Sequence, residues 1–191
     1  MAIFMADFTE DTGEGKNPGM NPLRDHSGLP RWSEIKPEHA LPALHEALES
    51  ARNSAEALFG MGNPGFESFV VPLSDINEGV GRTWNPVAHL NAVVNGEELR
   101  KAYNEGLPLL AEHFTRLKQD ERLYRAYEGI RSGSEWAGLS ATRKKLIEDA
   151  LRDFRLAGAG LASQPKKRFG EIASELSVLQ STFNDHVLDD T

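Results

Sequence analysis

Apolar residues return along this chain at alternating steps of three and four, and almost nowhere at steps of two. Between Pro37 and Gly60 they are Leu41, Leu44, Leu48, Ala51, Ala55 and Leu58, the spacing of one buried helical face. Pro37 falls in the first turn, where a missing N–H costs little. Gly60 is a natural stop, and "GMGNPG" reads as a loop. This one pattern, repeated down the chain, excludes most folds.

The second helical stretch runs from about Phe66 to Val94. Proline removes a backbone donor and crowds the preceding turn, so Pro86 is expected to kink or split it. Asn95 with Glu98 reads as a capping box opening a third helix, about Glu97 to Lys118. That helix carries Leu99, Tyr103, Leu107, Leu110, Phe114 and Leu117 on one face, and Pro108 should interrupt it. Asp120 caps a short helix with Leu123, Tyr124, Tyr127 and Ile130 inward, and "SGSEWAGL" is a loop. Ser140 caps the next, with Leu146, Ile147, Ala150, Leu151 and Phe154 inward and Gly158 and Gly160 at its end.

The last helix starts near Pro165 and is expected to bury Phe169, Ile172, Leu176, Leu179, Phe183 and Val187. Its apolar stripe is still running at Val187-Leu188, with no Gly or Pro after it. Helices usually stop on such signals, so the chain reads as cut within a longer polypeptide. No segment alternates like a strand, and no hairpin turn stands out. The fold class is therefore all-α, an antiparallel bundle of about six helices without a sheet.

The length of 191 residues suffices for one domain with a core. Residues 1–20 start apolar and continue with acids and glycines, which reads as a flexible extension; residues 21–191 form the helical domain. The lead "NPLRDHSGLPRWSEI" should lie across the body, anchored by Leu29, Trp32 and Ile35. With no cysteine there is no disulfide and no thiolate ligand or nucleophile, which fits a reducing compartment. A net charge of −8 repels phosphate backbones, so no nucleic-acid partner is expected. No apolar run approaches the ~20 residues of a membrane helix, so no membrane partner is expected either.

"HEALE", His45 to Glu49, invites comparison with the H-E-x-x-H zinc motif. His45 and Glu49 are four apart and share a helical face, while Glu46 points about 100° away. The second imidazole is absent. His45 and Glu49 lie beside the buried Leu44 and Leu48, so an exposed surface pair is the plainer reading. A small independent metalloenzyme would need a third ligand such as His39 or His113. His26 is in the lead, His186 is near the end, and His89, flanked by Trp84, Asn85 and Asn91, reads as a buried, hydrogen-bonded histidine. "GVGRTW" lies inside a helical run and is no phosphate loop; "RKK" (143–145) and "KKR" (166–168) sit among acids and read as solvated faces. No catalytic, cofactor-binding or metal-binding residue is assigned.

Several longer stretches carry a resemblance. "LPRWSEIKPEHALPAL", "PVAHLNAVVNGEELRKAYNEGLPLL", "KKLIEDALRDFRLAGAGL" and "RFGEIASELSVLQSTFNDHVLD" together resemble the N-terminal helical region of the oligopeptidase A family. These are zinc-dependent oligopeptidases related to thimet oligopeptidase, neurolysin and dipeptidyl carboxypeptidase. The resemblance covers roughly Asn21 to Thr191. It implies that the zinc helix lies in a catalytic domain downstream, that "HEALE" falls on the first N-terminal helix, and that zinc belongs to the missing domain. It further implies a cytoplasmic protein that degrades short peptides, in which these helices form one wall of a substrate channel and are not catalytic themselves. The partners are then the missing catalytic domain and short peptide substrates. The competing function is a stand-alone helical module that binds a peptide or a partner protein.

Overall fold

The computed structural model describes residues 20–189, and no strand occurs among them. The extension expected over residues 1–20 lies outside them except for Met20. Six helices follow one another: α1 (Pro37–Phe59), α2 (Val71–Val93), α3 (Glu97–Lys118), α4 (Glu121–Ser132), α5 (Ala141–Leu156) and α6 (Ser163–Asp189). The all-α reading therefore holds. A single π turn, Phe66–Val70, leads into α2, and "SEWAG" (134–138), expected as loop, winds into a 3-10 turn.

Local chemistry explains most of the ends. Asp120 accepts the Arg122 N–H and caps α4, and Ser140 accepts from the Arg143 N–H and caps α5. At the end of α5, Gly158 adopts φ +85°. The Ala159 N–H then reaches the Phe154 carbonyl at 2.9 Å and the Gly158 N–H reaches Arg155 at 3.1 Å. This is a Schellman closure, and it needs a residue without a side chain at that φ.

Neither proline splits its helix, and one cap falls elsewhere than expected. α2 runs unbroken through Pro86, and α3 through Pro108. Pro86 and Val87 are buried in the core, and that packing offsets the lost backbone bond. Asn95 is not the N-cap of α3. With φ +51° it sits in the left-handed region and its N–H closes back on Leu90 O, so it ends α2; Gly96 is the N-cap position. The Asn95 side chain instead accepts from Arg100 Nε at 3.0 Å.

The core has two parts. One joins α1, α2 and α3 around Leu44, Leu48, Val80, Trp84, Val87 and Leu99, with Leu23 from the lead inserted. The other joins the end of α1, the π turn and the start of α2 to α4 and α5, around Leu58, Phe69, Leu123, Ile130, Ile147 and Leu151. Leu23 is thus the lead's buried anchor. Of the expected anchors, Ile35 packs against the first core, whereas Leu29 is almost fully exposed and Trp32 is half-exposed against His89. Leu146 also faces outward.

The largest departure is α6. Ile172, Leu176, Leu179, Phe183 and Val187, expected inside, are exposed, and Phe169 is only half-buried. α6 lies along α3 with its opposite face inward. There Ser181 is buried, and Gly170, Ala173, Ser174 and Ser177 are half-buried. The first five helices already close both cores. What remains for α6 is the polar flank of α3, and small side chains fit it.

Candidate functional site: the α1–α3 cleft and the outer face of α6

A cleft of about 570 Å³ opens between α1 and α3. The period of α1 puts His45, Glu49 and Arg52 on one wall, and α3 supplies Glu112, His113 and Arg116 on the other. Its floor is apolar, with Leu48, Phe59 and Leu109. Arg116 pairs with Glu112 at 2.7 Å, and Glu56 on the rim is held by Arg122 at 2.7 Å. The Arg122 side chain forks onto both Glu56 and Asp120 and keeps the Glu56 carboxyl below the usual carboxylate range. Partial burial, and then the charge of Arg52, push the His113 imidazole below its ordinary pKa. His113 is therefore neutral at pH 7, and its buried Nε2 has no hydrogen-bond partner among the described residues.

The zinc question can be tested on these walls. His45, Glu46 and Glu49 are all exposed, and Glu46 is drawn away by an ion pair with Arg24. His39 is spent on a cap: its Nδ1 accepts the Lys36 N–H at 3.1 Å. His113 shares the cleft with His45 and Glu49, yet among the described residues no group of three or more His, Asp or Glu stands close enough to hold a metal. These residues do not fit a zinc site. The cleft has an apolar floor and charged walls.

The remaining singled-out residues fall elsewhere. His26 Nε2 lies 3.2 Å from Thr83 Oγ1. His89 is exposed and packs on Trp32, with ring centroids 5.2 Å apart, so the buried reading is corrected. His186 is exposed on α6. Both basic clusters are engaged: Arg143 with Glu67, Lys145 with Asp149, Lys166 with Glu121 and Arg168 with Glu171 and Glu175. Among the described residues, no helix is long and apolar enough to cross a membrane.

The feature missed by reading the sequence is the outer face of α6. A signal was present: Gly170, Ala173, Ser174, Ser177 and Ser181 also recur at helical spacing, on the side opposite the large residues. The sequence thus carries two helical faces on α6, and the structure turns the smaller one inward.

An all-α bundle with a charged-walled groove and an exposed apolar helix face defines the class: a helical domain. Residues 40–166 match the family model described as "Neurolysin/Thimet oligopeptidase, N-terminal domain". The chain is 44% identical over 171 residues to oligopeptidase A of Haemophilus influenzae and 43% identical over 172 residues to oligopeptidase A of Escherichia coli. Each alignment covers 90% of this chain and 25% of the relative. A more distant match is dipeptidyl carboxypeptidase of Escherichia coli, 25% identical over 88% of this chain and 26% of that protein. The chain belongs to the neurolysin/thimet oligopeptidase N-terminal domain family, on its oligopeptidase A-like side. It spans about a quarter of the length of the curated relatives it matches.

Proposed function

We propose that this chain is the non-catalytic N-terminal domain of a cytoplasmic zinc oligopeptidase that degrades short peptides, with residues 21–191 forming one wall of the substrate channel. The observation that carries this reading is the alignment itself: 90% of the chain matches one quarter of oligopeptidase A. The matching family model is that of an N-terminal domain. The part of such an enzyme that holds zinc and performs hydrolysis then lies in the remaining three quarters. The role of this domain is steric. Its helices are stiff, so a channel between them and a catalytic half admits an extended peptide and excludes a folded protein. The α1–α3 cleft, with its apolar floor and charged walls, is a surface on which such a peptide can lie.

The test is a hydrolysis assay with an internally quenched peptide of about ten residues, run with added zinc. The 191-residue chain alone is expected to release no fluorescence above the buffer rate. The complete gene product is expected to cleave the peptide and to stop when a chelator is added. Chelator-sensitive cleavage by the 191-residue chain alone would sink the proposal, as would an inactive complete product.

A further inference from the structure

α6 carries two faces that behave in opposite ways. Its inner face is small and polar. Gly170 faces α3, where an added Cβ would meet Thr115 Cγ2 in ordinary contact at 3.9 Å. Further along, Ser181 Oγ donates to Asn104 Oδ1 at 2.6 Å, and Asn104 Nδ2 donates to Asp185 Oδ2 at 2.9 Å. These bonds fix the rotation of the helix on α3, while the groups they bring in bury little apolar surface. The outer face holds Ile172, Leu176, Leu179, Phe183 and Val187, with 49%, 52%, 65%, 68% and 50% of their surface exposed. At 1.5 Å per residue the stripe is roughly 22 Å long. A contiguous apolar stripe of this length on a folded domain marks an interaction surface.

A helix free to choose would turn this stripe inward. Burying it on α3 would require about half a turn about the helix axis, since the two faces lie on opposite sides, and would break both hydrogen bonds of Asn104. The polar seam therefore holds the apolar stripe outward for another partner. Three quarters of the length of the matched relatives lies outside this chain, and the matching family model is an N-terminal domain. We infer that the outer face of α6 is the surface on which the rest of the polypeptide docks, through an apolar counter-face about as long as the stripe. The inference rests on the proposed function in one respect, that a larger polypeptide exists. The seam sets the orientation of α6, and the docked part supplies the apolar burial.

The experiment compares amide hydrogen exchange over residues 172–187 in the 191-residue chain and in the complete gene product, each as wild type and as Leu179→Glu/Phe183→Glu. Exchange in the complete wild-type protein is expected to be at least tenfold slower than in the 191-residue chain. The double variant should leave the melting temperature of the 191-residue chain unchanged, because both side chains are exposed there, and should abolish the slowing in the complete protein. Equal exchange in the two wild-type proteins overturns the inference, as does protection that survives the double substitution. Sedimentation showing that the 191-residue chain dimerises, and that the double variant does not, assigns the face to a second copy and also overturns it. Peptidase activity separates the two readings. A complete protein that is active but unprotected at α6 refutes the docking surface alone; one that is protected but inactive refutes the peptidase reading alone.

Discussion

Gly106→Ala sets helix propensity against packing, and the structure decides the sign. Gly106 is buried in the middle of α3, where alanine is favoured over glycine by about 1 kcal/mol. An added Cβ would stand 2.1 Å from Trp84 Cη2, 2.7 Å from Cζ2 and 2.9 Å from Cζ3. Carbon atoms pack at ~3.5–4.0 Å, so the closest pair is short by roughly 1.4 Å. The ring has nowhere to go. Trp84 is buried on α2, stacked on Tyr103 with ring centroids 5.8 Å apart, and packed in the cluster that holds Leu44, Val80 and Val87. Overpacking of this kind costs ~1–3 kcal/mol, and a clash this deep belongs at the upper end. Set against the propensity gain, the net is a destabilisation of about 1–2 kcal/mol, or a fall in Tm of roughly 2–8 °C for a domain of this size. Urea unfolding and calorimetry of the two proteins measure it. A Gly106→Ala protein as stable as the parent, or more stable, would refute the packing argument. Trp84→Phe supplies the control: in that background the alanine should cost less, with a coupling of at least ~0.5 kcal/mol.

Three further outcomes are expected. Gly158→Ala forces a side chain into a φ of +85° and towards Leu161 Cδ1 at 2.5 Å, so it should lower stability by about 1–2 kcal/mol, read by urea midpoint; an unchanged midpoint would contradict the Schellman closure. His113 has a lowered pKa in the fold, so the unfolded chain binds its proton first. Its effect on stability is absent above the ordinary histidine value of 6.5 and grows as pH falls through 6.5 towards the lowered value; His113→Gln should flatten that part of the urea-midpoint profile. Ser181→Leu places bulk in the α3–α6 seam, where Ser181 is buried. It should speed amide exchange over residues 163–189 and leave the exchange of α1, α2, α4 and α5 nearly unchanged; uniform acceleration would show that α6 is coupled to the core more tightly than its small inner face allows.

Some of this was legible because it is local. Ser140 and Asp120 cap helices through their own side chains, and Gly158 ends α5 through its own φ. Neither feature depends on distant partners. Asn95 was read from the same local rules and assigned to the wrong helix, because asparagine serves both an N-cap and a left-handed C-terminal position. Pro86 reads as a breaker because propensity ignores what burial returns to the helix. The α1–α3 cleft was half legible: the four-residue step put His45 and Glu49 on one face, but nothing local placed His113 in the same cleft.

By itself the sequence determined the all-α class, the six helices with most of their ends, and the family, because each is written in spacing, caps and order along the chain. Only the tertiary structure decided which face of α6 is covered. Periodicity states which residues share a side of a helix; it does not state whether another element waits on that side. For α1 the large residues met α2 and α3 and became core. For α6, the polar flank of α3 accepted serines and a glycine, and Leu179 and Phe183 were left facing solvent.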